Sequence, residues 1–430
     1  MASSVSELLQ PQYILRVISR IRDGSGPLGR WLGFQTTGFS QDNGRANRPN
    51  AGTAGVQTTI GGQNNVKGDV RVVSYRIFDM SRVIAKARAP GTGPAVVARN
   101  PIGQVQVVCP RFHEKIPINY EFLGNLSPVV GPNSQVDPGG EDFLMRQNKH
   151  LATQFNKAIE AMSAGMMRDS LYFIYIGDDW YVSFTAPGVG NSVWPVNAPY
   201  IQVSFQIPAT NKGQGAQQLG TNPTGGNLID QSWQNFAALI FNHLMNGKAA
   251  YAQLSGYPLT DLWINSTLWP YIIGNTQIRN LAGSANQPFA EYKMDQEIGM
   301  GGDMMNNIYK MKLVADPTIT FHCTDDVLVQ GQTDVDPTYG TAPAGSSLAK
   351  LIPDNMCIWT NGEVKDWCQL YEGSEYIVEN PGMPGVKRQG MYFWKEFTTQ
   401  PSGIDLIGLL NCVPMLFIPK SVAPLSVAGF

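Results

Sequence analysis

The hydrophobic positions of this 430-residue chain change period several times, and each change predicts a different element. Over residues 4–22, Val5, Leu8, Leu9, Ile14, Leu15, Val17 and Ile18 predict short helical turns interrupted at Pro11. From Gln35 to Asp69 large apolar residues are almost absent and Gly, Asn, Thr and Gln dominate. Such a stretch cannot bury a core of its own, so it is either disordered or an arm lying extended on another surface. Val70 to Phe78 then reads as a strand, Ala89 to Pro94 as a turn-rich tip, and Gln104 to Val108 as a returning strand of period two. Together they predict a long two-stranded ribbon, which alone is marginal in water and needs a surface to pack on.

The strongest helical signal follows the polar entry Asp137 to Asp142 and runs to about Asp169. Leu144, Leu151, Phe155, Ala158, Ile159, Met162 and Met166 recur at three- and four-residue spacing, acidic residues open the helix and Arg168 closes it. About 29 residues at 1.5 Å each give roughly 43 Å. Aromatic-rich strands are predicted over 171–207, and a polar linker over 209–226. A second helix carries Trp233, Phe236, Ala237, Ile240, Phe241 and Leu244 on one face, with Gly247 ending it. A short buried strand at Asp261–Ile264 precedes a third helix from Thr267 to Leu281, and further strands are expected at 318–323, 356–360, 392–398 and 404–418. Helices and strands mix without βαβ alternation or internal repeat, so the class is α+β.

Composition sharpens this picture in one respect. Only 15% of residues are charged, against roughly a quarter in typical domains. Either much of the surface faces other protein, or it is covered by Asn, Gln, Ser and Thr. Met1 to Glu7 has neither a basic leader nor an apolar run, so no secretion signal is expected. The most apolar stretch, Leu406 to Ile418, is too short to span a membrane. Five scattered cysteines without a Cys-x-x-Cys pair predict reduced thiols.

Catalytic signatures fail one by one. His113, His150, His243 and His322 are isolated, and His322-Cys323 has no second ligand pair at zinc spacing. There is no nucleophile elbow and no phosphate-binding loop, and Asp334 with Asp336 lacks the rest of a calcium loop. No cofactor or metal is expected, and no enzyme. The charge map says more. Segment 70–118 holds eight basic and two acidic residues, net +6; segment 295–380 holds four basic and fourteen acidic, net −10. The basic ribbon suits either nucleic acid or the acidic region of a neighbouring copy. It has few interleaved aromatics for base stacking, which favours the neighbour. Arg76, Arg82, Lys86, Arg88 and Arg99 are the expected contact residues.

The order of these elements resembles that of tailed-phage major capsid proteins with the Hong Kong 97-type fold, nearest to the lambda-type capsid protein E family. Three stretches carry the resemblance: the helix around Gln147–Met166, Leu351-Ile352-Pro353-Asp354-Asn355-Met356 before a late strand, and Val413-Pro414-Met415-Leu416-Phe417-Ile418 near the C-terminus. The chain departs from the family around 176–230, 295–316 and 330–350, where it carries extra residues. The resemblance implies an N-terminal arm (1–69), an extended β-hairpin loop (70–118) and a peripheral domain (119–224) with a spine helix (140–169). An axial domain (225–385) and C-terminal return strands of the peripheral domain (386–430) complete it. It further implies hexamers and pentamers closing into an icosahedral shell around double-stranded DNA, held on the inner face without sequence specificity. Portal, scaffolding and decoration proteins are the implied partners, no membrane is involved, and the place is the virion head, with the host cytoplasm during assembly. The alternatives are an encapsulin-like nanocompartment shell of the same fold and, from another class, a hydrolase or β-rich adhesin.

Overall fold

The computed structural model describes residues 27–32, 34, 65–69, 71–78, 103–119, 138–189, 193–212, 232–255, 259–282, 290–296, 307–313, 316–331, 344–362, 366–377, 385–399 and 402–427. The helical turns expected over 4–22 and the ribbon tip at 89–94 lie outside these residues.

The centre of the body is one 15-residue strand, Ser402–Leu416. Its early part is flanked by Met391–Thr399 on one side and Arg111–Asn119 on the other, both antiparallel. Its late part pairs with Cys368–Glu372, which in turn takes Asn65–Lys67 as a parallel neighbour. The spine helix, Pro138–Arg168, lies across this sheet. From Ile159 to Met167 every residue of it is buried, and Leu151, Phe155, Ile159, Met162 and Met166 are each at most 3% exposed. Helix and strand approach so closely at Gly408 that a Cβ there would collide with the Phe155 ring and crowd Leu151.

Residues 111–119 therefore belong to the body sheet rather than to the ribbon. The described ribbon is Val72–Ile77 against Gly103–Val108, in antiparallel register from Val72↔Val108 to Ile77↔Gly103. Val73, Tyr75, Ile77, Val105 and Val107 face inward and are buried in the chain's own core, as the alternating pattern requires.

A second core surrounds a six-stranded sheet ordered Val422–Ser426, Met356–Thr360, Asp261–Ile264, Asp316–Cys323, Asn307–Leu313 and Ala290–Gln296. Its inner strands are apolar on both faces. Leu262, Ile264, Cys357 and Trp359 join the second core, whereas Trp263 and Ile358 turn the other way into the first. The two cores therefore share strands. The expected boundary at 385 does not follow them, since Cys368–Glu372 joins the first sheet and Val422–Ser426 the second.

Two helix expectations are corrected. The second helix runs Ile240–Ser255, and Gly247 sits inside it, in ordinary contact with Trp359, rather than ending it. The stretch before it is held in turns: Trp233 N–H donates to the Val427 carbonyl (2.8 Å), and its indole Nε1–H donates to His243 Nδ1 (3.3 Å). The third helix is broken into a short 3-10 turn, Trp269–Gly274 and Thr276–Ala282. Asn275 makes the break, because its side chain offers the backbone better partners than a continuous helix would. Its Nδ2 donates to the Phe236 and Ala238 carbonyls (3.0 and 2.7 Å), and its Oδ1 accepts from Ile278 N–H (3.2 Å).

Candidate assembly surface

The base of the ribbon is bolted to the end of the central strand. Leu416 N–H donates to the Tyr75 hydroxyl oxygen (3.2 Å), Phe78 N–H donates to the Phe417 carbonyl (2.8 Å), and the Tyr75 and Phe417 rings meet edge to face at 5.3 Å. Burial pushes the Tyr75 hydroxyl up to about 12, so it stays a neutral hydrogen-bonding group. The outward face of the same strand carries Val72, Ser74 and Arg76, all exposed, and Phe78 follows at 49% exposure. Of the expected contact residues, Arg76 thus projects from the outer face of the ribbon; Arg82, Lys86, Arg88 and Arg99 lie outside the described residues.

The charge polarity is partly neutralised within one chain. Glu375, from the acidic segment, takes Arg71 at 3.2 Å and Arg111 at 3.7 Å, and Asn411 Nδ2 donates to it at 3.4 Å. Lys115 pairs with Asp405 at 3.1 Å. On the acidic side, Asp326 pairs with Lys157 at 3.0 Å and Asp354 with Lys350 at 2.6 Å. Segment-wide counting missed these pairs because it cannot tell which charges a fold places opposite each other. Among the described residues of 70–118, Arg71, Arg111 and Lys115 are thus engaged within the chain.

The Leu351–Met356 stretch sits where the spine helix, the second sheet and the C-terminal strand meet. Arg168 ends the helix by donating to the Lys350 and Leu351 carbonyls (3.2 and 3.3 Å), with its guanidinium 4.3 Å from the Phe184 ring centroid. Burial lowers this guanidinium to about 10, still fully charged at neutral pH. Asn265 Nδ2 donates to the Ile352 carbonyl (3.2 Å), the Thr267 hydroxyl to Asp354 Oδ1 (2.9 Å), and Val427 N–H to the Asn355 carbonyl (2.8 Å). The Pro-Asp-Asn turn is thus a three-way joint.

Catalytic geometry does not emerge among the described residues. No group of three or more metal-binding side chains gathers there. His322 Nε2 lies 2.6 Å from Asp261 Oδ1, stacked on Trp263 at 4.5 Å, and the Thr260 hydroxyl donates to the other carboxylate oxygen (2.7 Å). A hydroxyl that gives its hydrogen bond to the acid rather than to the imidazole is a brace, not a nucleophile awaiting a base. All five cysteines are free, and burial pushes the Cys109 and Cys323 thiols up to about 12. No described helix is long and apolar enough to cross a membrane.

No family model matches the chain, and no curated protein does. Among solved structures it is similar to a putative capsid protein of a prophage from E. coli CFT073, with 11% identity, a TM-score of 0.43, and 75% of this chain and 78% of that one covered. It is also similar to a phage-related protein from Bordetella bronchiseptica RB50 (9% identity, TM-score 0.42, 85% and 89% covered). A third likeness is to the mature capsid of bacteriophage PhiM1 (9% identity, TM-score 0.38, 85% and 86% covered).

Proposed function

We propose that this chain is the major capsid protein of a tailed bacteriophage, with the Hong Kong 97-type fold. It self-assembles as hexamers and pentamers into the icosahedral head that encloses double-stranded DNA. The observation that carries the reading is the order of parts. A ribbon rooted in the body sheet, a 31-residue helix on that sheet, and a second core that begins at Trp233 and meets the first at the Pro-Asp-Asn turn follow one another along the chain, which supports the reading. The scarcity of charge and the polarised segments support the same reading, because a shell subunit spends much of its surface on identical neighbours.

In this reading the arm (1–69), apart from 27–34 and 65–67, which the chain's own body holds, reaches across neighbours, and the ribbon, without the body-sheet strand 111–119, presents its outer face to an adjacent copy. Its contacts are Arg76, Arg82, Lys86, Arg88 and Arg99 against the acidic 295–380 region. The axial domain gathers at the capsomer centre, while portal, scaffolding and decoration proteins and the packaged genome complete the particle. The chain performs no chemistry of its own. Negative-stain microscopy of the purified protein tests this: capsomers or closed shells are expected, and single copies that persist under every solvent condition would refute it. Shells filled with a cargo protein and free of nucleic acid, when isolated from a producing cell, would point instead to a nanocompartment.

A further inference from the structure

The N-terminal segment around Trp31 is built like a ligand seated in a receptor. Pro27–Trp31 forms one helical turn whose backbone closes on itself. Leu32 N–H donates to the Leu28 carbonyl (2.9 Å) and Phe34 N–H to the Gly29 carbonyl (2.8 Å). The first N–H groups of such a turn have no carbonyl of their own to meet. Pro27 has none to offer, and those of Leu28 and Gly29 both go to one side chain. Leu28 N–H donates to Glu160 Oε1 (2.6 Å) and Gly29 N–H to Glu160 Oε2 (2.8 Å). Glu160 stands in the buried stretch of the spine helix and is 0% exposed. Each carboxyl oxygen thus meets a donor from the same short segment.

The side chains are received in the same way. Leu28, Leu32 and Phe34 are wholly buried in the first core. Trp31 lies edge to face with Trp263 (5.4 Å) and His322 (5.5 Å) of the second sheet, and 6.2 Å from Trp367 of the first core. These walls are braced by bonds that do not involve the segment. His322 stacks on Trp263 at 4.5 Å and is fixed by Asp261 Oδ1 (2.6 Å), while the Trp367 indole N–H donates to the Asn361 carbonyl (3.0 Å). Along the chain the segment stands apart as well. Residues 35–64, which join it to the strand Asn65–Lys67, have only Phe39, Val56 and Ile60 as large apolar residues. A stretch of that composition adds little apolar burial, so the hold of 27–34 on the body rests on its own contacts.

We propose that the junction of the spine helix with the two cores is a peptide-binding socket, and that 27–34 is its ligand, a separable plug rather than a part of either core. Two recognition elements define the ligand. One is a pair of adjacent backbone N–H groups just after a proline, which the Glu160 carboxyl accepts one to each oxygen. The other is a tryptophan two residues further on, which the Trp263, His322 and Trp367 rings receive. Seating the plug ties the spine helix to both cores at one point. An apolar helical turn of the same chemistry, supplied in trans, competes for the socket. This inference does not depend on the shell reading.

Cutting the folded chain tests this. A protease recognition sequence inserted after Asn50 allows the fragment 1–50 to be severed once the full chain has folded, with both pieces kept together. The fragment should co-elute with the body on gel filtration. Leu28→Ala with Trp31→Ala should weaken that retention by about a hundredfold or more, read as release at higher total concentration, while the freed body keeps a cooperative unfolding transition. A fragment that leaves the parent at once, one that stays in spite of the double substitution, or a body that unfolds when the fragment goes would each overturn the proposal. If the double variant does not fold, the cut parent decides. An excess of synthetic peptide Gly24–Thr36 should replace the fragment. The same peptide with an ester in place of the Leu28–Gly29 amide, which removes the N–H that Glu160 Oε2 accepts, should need about tenfold more. Equal potency of the two peptides, or no exchange at all, defeats the idea.

Discussion

Single residues decide how closely the parts of this molecule can approach, and Gly408 is the sharpest case. The spine helix rests Phe155 and Leu151 directly on the central strand at that point, where a methyl group would have no room. Overpacking of a well-filled core costs about 1–3 kcal/mol. Gly408→Ala should lower unfolding stability by that amount in denaturant titration, and adding Phe155→Leu should restore part of it. Equal stability of Gly408→Ala and the parent would mean that the helix rides higher than the structure places it. Glu375 presents the opposite situation. Its two arginine partners are substantially exposed, 72% for Arg71 and 42% for Arg111, so solvent screens both pairs. Glu375→Gln should change stability by no more than about 1 kcal/mol in the same titration.

At the scale of elements, the periodic signals translated well and the breaks in them did not. The spine helix, the strand at 356–360 and the ribbon strands lie within one or two residues of where the hydrophobic pattern puts them, because burial on a helix stripe or a strand face leaves a direct trace. The third helix fails as one unit because its pattern is continuous while Asn275 is not. An asparagine inside an apolar repeat looks tolerable until its side chain is seen holding two carbonyls from a distant turn. Removing it takes a donor from the Ala238 carbonyl and uncaps the following helix, while Thr276 still holds the Phe236 carbonyl. Asn275→Ala should therefore cost about 2–3 kcal/mol, detected as a lower midpoint with the denaturant slope unchanged. Arg111–Asn119 escaped assignment to the body sheet for another reason: its exposed charged positions read as ribbon, and only pairing with Ser402–Leu416 shows otherwise. Glu160 was legible only as an oddity, the one charge among the ten residues from Ala158 to Met167. Its partner is more than a hundred residues away, and no local signal points there.

At the scale of the whole molecule, the question is which charges remain for a neighbour once the fold has used its own. Arg71, Arg111 and Lys115 are engaged within the chain, so reversing them would disturb the subunit before it disturbed any assembly. Arg76 stands on the outer face of the ribbon, and in the proposed reading it acts with Arg82, Lys86, Arg88 and Arg99 on the acidic 295–380 region of another copy. Complementary fields of this kind govern encounter rate and orientation more than final affinity, and they are screened over roughly 10 Å at 0.1 M salt. The variant Arg82→Glu, Lys86→Glu, Arg88→Glu should therefore lose particle yield, and lose more of it relative to the parent at 20 mM salt than at 500 mM. Its unfolding midpoint should stay where the parent's is. Glu375→Gln supplies the contrast, with particle yield unchanged at both salts, because that carboxylate already serves its own chain. A reversed ribbon that assembles as well as the parent across the whole salt series would show that copies meet through apolar contacts instead. The exposed Phe78 and Val72 on the same face of the ribbon would then be the first residues to replace.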